Sequence, residues 1–89
     1  LELEVTDHAI IAKLDGAKAS LAFHVEDKVM YLDSTYTPPQ FRGMGIGGEL
    51  VKASIEHARK NGFTIVPVCS FAVDYFEKHL EYSEILKKS

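Results

Sequence analysis

The sequence predicts an α+β fold, an antiparallel four-strand meander followed by helix, strand and helix. Three observations carry this. Before residue 38, apolar and polar residues alternate with a period of two in four segments, each closed by a turn signal. Beyond Gly43 the apolar period lengthens to that of a helix. A short apolar run then separates this helix from a second helical pattern. The chain has 89 residues, 46% of them hydrophobic and 26% charged. That is enough for one small core, so a single domain over residues 1–89 is expected.

Residues 1–6 set Leu1, Leu3 and Val5 against Glu2 and Glu4, the pattern of a half-buried strand. Asp7-His8 is a turn, residues 9–14 form the second strand, and Asp15-Gly16 is a hairpin signal. In residues 17–25, Ala17, Ala19, Leu21, Phe23 and Val25 share one face, and Lys18, Ser20, Ala22 and His24 the other. Glu26-Asp27-Lys28 turns the chain into a fourth strand over residues 29–37, ended by Pro38-Pro39. Ile46, Leu50, Val51, Ile55 and Ala58 then recur at helical spacing until Asn61-Gly62, a stop signal. Residues 63–68 read as a strand buried on both sides. Residues 70–80 read as a second helix, and residues 82–86 as a short final strand.

The bulk properties exclude several classes. A net charge of −3 supplies no general attraction to nucleic acid or to an anionic membrane, so neither is expected as a partner. No apolar run reaches bilayer-spanning length, and the start lacks a signal-peptide pattern. The single cysteine, Cys69, has no internal partner, and a reducing cytoplasm is the simplest compartment. No residues have metal-ligand spacing, and one cysteine excludes the usual zinc frameworks, so no metal is expected. Nor does any exposed apolar stripe demand a second subunit, so a monomer or weak homodimer is expected.

The strongest functional signal is Gln40-Phe41-Arg42-Gly43-Met44-Gly45-Ile46-Gly47-Gly48, between the fourth strand and the first helix. Glycines there let the backbone turn sharply and approach a ligand. A helix start adds unpaired N–H groups and the positive end of a dipole, which together suit a pyrophosphate. A Walker A loop is excluded, because Gly47-Gly48 is followed by Glu49 with no lysine. The spacing Gly43-x-Gly45-x-x-Gly48 matches the dinucleotide fingerprint. That fingerprint belongs to several parallel βαβ units with an acidic residue after the next strand, and this chain has one such unit. A helix start using glycine only for tight turning would need fewer of them, since each costs about 1 kcal/mol where a helix must form.

Gln40-x-x-Gly43-x-Gly45 is similar to the Gln/Arg-x-x-Gly-x-Gly/Ala signature of the GNAT superfamily of acetyl-CoA-dependent N-acetyltransferases, and the resemblance covers residues 29–80. It implies the GNAT-like acyl-CoA N-acyltransferase fold, with acetyl-CoA as cosubstrate and an amine as acceptor. It also implies that the loop amides hold the pyrophosphate, while the strand end at Tyr36 and Thr37 pairs with the pantetheine arm. Of the nearby cations Arg42 and Lys52, Arg42 in the loop is the better placed to contact the phosphates. Two departures stand out. The family's usual helices between the first two strands are missing, as in its very small stand-alone members. The family's Asn-x-x-Ala-x-x-x-Tyr after strand five reads here as Cys69-Ser70-Phe71-Ala72-Val73-Asp74-Tyr75-Phe76. Phe76 thus occupies the general-acid position, and Tyr75 is rotated from it by about 100° on a helix.

Cys69 is the leading catalytic candidate by this resemblance, with Ser70 and Phe71 beside the coenzyme. A sulfur at a helix start faces the positive end of the dipole, which favours a nucleophilic thiolate. The alternative is a small apolar side chain packed in the core. His24 and Tyr75 are further acid–base candidates, against the ordinary reading of a half-exposed histidine and a packed tyrosine. The expected function is transfer of an acetyl group to a small or peptidic amine. A coenzyme-binding module without efficient catalysis is the alternative.

Overall fold

The computed structural model describes residues 1–88. Its elements are β1 (Glu2–Val5), β2 (Ala9–Leu14), β3 (Ala17–Glu26), β4 (Val29–Tyr36), a 3-10 turn (Pro39–Phe41), α1 (Ile46–Asn61), β5 (Thr64–Pro67), α2 (Ser70–Lys78) and a second 3-10 segment (Leu80–Ile85). The five strands lie side by side in chain order. The first four are antiparallel, joined by short turns, and β5 returns parallel to β4 after α1 crosses over. The period-two segments therefore form the expected meander.

Both helices pack on one face of the sheet. Ile10, Ala12, Ala19, Leu21, Phe23, Met30, Leu32 and Ile65 point from the strands into one core, which Leu50, Val51, Ile55 and Ala58 of α1 and Ala72, Tyr75 and Phe76 of α2 close from above. The alternate strand residues Lys13, Lys18 and His24 are exposed on the opposite face. Removing this apolar surface from water stabilises the fold by about 25 cal/mol per Å².

This one-sided layering corrects three expectations. Within β5 only Ile65 is buried, because the strand's second face carries no helix. All four residues of β1 are exposed, because it forms the sheet edge and α1 does not roof it. Val25, grouped on one face with Leu21 and Phe23, is also exposed, close to the hairpin at the end of β3. At the C-terminus the expected strand is a 3-10 segment. Its Ile85 is buried in the core, and just beyond it the chain meets β5 through a parallel bridge between Ile65 and Leu86, with the Lys87 amide donating to the Ile65 carbonyl at 2.8 Å. The helix before it ends at Lys78, since His79 leaves helical geometry at φ −121°, ψ 70°.

Leu50 is fully buried between α1 and the sheet. Leu50→Ala is expected to destabilise the fold by about 3 kcal/mol. Leu80→Ala, at a position 70% exposed, is expected to change it by less than about 0.5 kcal/mol. Urea denaturation of the two variants beside wild type checks both values.

Candidate active site

The site forms where β4 and β5 part. β5 runs beside β4 only as far as Leu32, opposite Pro67. The Leu32 carbonyl then accepts the amides of Val68 at 3.0 Å and Cys69 at 3.1 Å, and the chain turns away into α2. β4 continues to Tyr36, paired with β3 alone. Its other edge is an open row of backbone donors and acceptors.

The chain after β4 closes back on this edge. Pro38-Pro39 cannot extend the strand. The Phe41 amide bonds the Pro38 carbonyl at 2.9 Å, and Arg42 Nε donates to the Thr37 carbonyl at 3.0 Å. The Arg42 terminal nitrogens are left without a carboxylate partner among the described residues. Gly43 and Gly45 then take φ of +81° and +79°, where a Cβ would cost about 1–2 kcal/mol. Gly45 starts α1 with no side-chain cap. The first amide bonded within the helix is that of Glu49, to the Gly45 carbonyl at 3.1 Å. The amides of Ile46, Gly47 and Gly48 precede it and have no intrahelical acceptor. They make the helix start an anion-binding surface.

Gly47 and Gly48 serve a different purpose. A Cβ on Gly47 would lie 2.6 Å from Phe71 Cζ, and one on Gly48 would lie 3.4 Å from Tyr75 Cε2. The rings of α2 thus rest on the first turn of α1 because side chains are absent there. The result is a cleft of about 430 Å³, lined by residues 35–37, 41–43 and 45–48 and by Phe71. Thr35 belongs to this lining and was not singled out from sequence. The only advance sign of it was its place before Tyr36 and Thr37.

The other candidates sit around the cleft without lining it. Gln40 lies in the 3-10 turn, Met44 is exposed between the two left-handed glycines, and Ser70 opens α2. Cys69 is the N-cap residue of α2, half-buried against the core, with its amide tied to Leu32. Tyr75 is 9% exposed and stacks on His79 at 4.2 Å between ring centroids. Burial raises its phenol above the ordinary 10.0, and Tyr82, Glu81 and Glu49 add to this. It therefore stays protonated at neutral pH. Phe76 is a core residue. His24 stands on the open face of the sheet, with both ring nitrogens against carboxylates.

The Gly47–Phe71 contact predicts strong coupling. Gly47→Ala is expected to cost roughly 1–3 kcal/mol, since overpacking forces the ring aside. In a Phe71→Ala background the same substitution should cost less than about 0.5 kcal/mol. A double-mutant cycle by denaturant unfolding reads the difference.

Residues 9–85 match the GCN5-related N-acetyltransferase family. The fold is also similar to the solution structure of a GCN5-like candidate N-acetyltransferase from Staphylococcus aureus. The likeness has a TM-score of 0.79 at 29% identity, over 100% of this chain and 90% of the other. With a match spanning both the meander and the glycine-rich helix start, the chain belongs to the GCN5-related N-acetyltransferase family, whose chemistry is acyl transfer.

Proposed function

We propose that this protein transfers the acetyl group of acetyl-CoA to the amine of a small molecule or peptide. One observation carries the proposal: the unbonded amides at the α1 start and the unpaired edge of β4 face a single cleft. The first is suited to a pyrophosphate. The second is suited to an extended arm bearing amides, which pantetheine has, added like another strand. In this reading residues 40–48 hold the pyrophosphate with help from Arg42, residues 36–37 seat the pantetheine, and Phe71 walls the cleft.

The chemistry requires an amine lone pair to reach the thioester carbonyl carbon. The C–N bond forms, the C–S bond breaks, the departing thiolate takes up a proton, and the ammonium loses one. Cys69 enters in one of two ways. Its thiolate accepts the acetyl group first and passes it to the amine, or its neighbourhood assists departure of the coenzyme thiolate. Tyr75, kept protonated by burial, is the nearest group in sequence to the family's proton donor. A binding module without turnover is the second reading. It draws on two observations, that Cys69 does not line the cleft and that Phe76 is buried in the core.

Coenzyme A release in the presence of a panel of amines separates these readings. Wild type is expected to turn over. Cys69→Ala should lose about 10²-fold or more in kcat while its acetyl-CoA Kd changes less than about twofold. Tight acetyl-CoA binding with no acetylation of any amine or of Cys69 would instead establish the module. In either reading, Arg42→Gln should weaken acetyl-CoA binding by about tenfold, the loss of one charge-assisted phosphate contact. Calorimetry measures that change.

A further inference from the structure

β4 carries one residue more than β3 where the two pass Asp33. Ser34 lies opposite Ala22 and Leu32 opposite Phe23, so Asp33 has no partner of its own. An extra residue bends its strand and increases the local twist. The bend falls between Leu32, the last rung to β5, and the cleft residues Thr35, Tyr36 and Thr37. It also reverses the alternation, so that Thr35, opposite Leu21, joins the helix-side face.

Asp33 is held from the neighbouring strand. Its Oδ2 lies 2.7 Å from His24 Nδ1. His24 Nε2 lies 3.1 Å from Glu26 Oε2, and the ring stacks on Tyr31 with 4.7 Å between centroids and 4° between planes. A carboxylate at each nitrogen and an aromatic ring on one face hold the imidazole from three sides. We propose that His24 is a positioning residue, which through Asp33 holds the β4 bulge and so sets residues 34–37 against the acetyl donor. The inference rests on acetyl-CoA occupying the cleft.

The groups facing His24 are Asp33 and Tyr31 from β4 and Glu26 from its own strand. On the other flank the pairing to β2 stops at Ala22, and the turn before β2 carries Asp7 and His8, which pair with each other. The bond to Asp33 raises the imidazole above its ordinary 6.5, with the charges of Asp33 and Glu26 adding and partial desolvation opposing. The charged clamp is therefore complete below about pH 6.5 as long as the two carboxylates stay ionised, and it weakens as pH rises through the raised value.

The test compares wild type, His24→Ala and His24→Gln, by acetyl-CoA calorimetry and by amide NMR across pH. In wild type the amides of Asp33, Ser34 and Thr35 are expected to titrate together with the His24 ring. In mildly acid solution His24→Ala should bind acetyl-CoA about fivefold more weakly, and the gap should narrow as pH rises without closing, because the neutral imidazole can still donate to Asp33. His24→Gln keeps a neutral donor for Asp33. It should restore most of the affinity and abolish the shared titration. Should the alanine variant fail to fold, the glutamine variant and the wild-type titration carry the test. A wild type that binds acetyl-CoA while both variants match it at every pH would overturn this proposal alone. A wild type that binds no acetyl-CoA would overturn the functional reading and the proposal together.

Discussion

The oxygen of Leu32 accepts the two amides that follow β5, from Val68 at 3.0 Å and Cys69 at 3.1 Å. Everything at the site depends on the pairing ending there. Had β5 continued, residues 35–37 would lie in the middle of a closed sheet, with no edge for a ligand. Instead β4 runs on alone, and α1 begins close enough for its first turn to share a cleft with that free edge. Two opposed tendencies are satisfied at once. Buried backbone groups must be paired, and a strand-adding ligand needs backbone groups that are not. Between β4 and β5 the sheet is paired as far as Leu32 and open beyond it, where the cleft lies.

The glycines divide into two physical classes. Gly43 and Gly45 supply backbone angles that other residues adopt at a cost, and so aim the start of α1. Gly47 and Gly48 supply empty space, which the rings of Phe71 and Tyr75 occupy. The loop and α2 are therefore coupled. The residues that follow β5 are placed partly by side chains missing from α1, and Cys69 begins that helix. Packing between the two helices and the geometry of the cleft are one problem, not two.

Much of the fold was legible because its periods are clean. The strands β2, β3 and β4 alternate, their turns are short, and the apolar stripe of α1 is buried at every position from Ile46 to Ala58 that the spacing marks. The C-terminal segment was not legible. Tyr82, Ile85 and Leu86 are apolar enough for a strand, yet a strand also needs a free edge of the right length, and β5 offers only four residues. The exposure of β1 depends on how far α1 reaches across the sheet, which no local pattern records. The bulge at Asp33 leaves no mark either, since it uses an ordinary residue and shows itself only in the register with β3. For the same reason Thr35 passed unnoticed. The glycine run stood out in sequence, but it does not distinguish turning from close packing.

In the proposed function the parted strands and the α1 start form one ligand site. Amide NMR of the uniformly 15N-labelled protein, titrated with acetyl-CoA, tests it most directly. Shifts are expected to concentrate in residues 34–37, 41–49 and 69–72, with the edge strand β1 and the outer end of α1 unmoved. Saturable shifts centred instead on Leu3, Val5, Ala53 and His57, which line a separate groove between β1 and α1, would contradict it. So would a spectrum unchanged at millimolar acetyl-CoA.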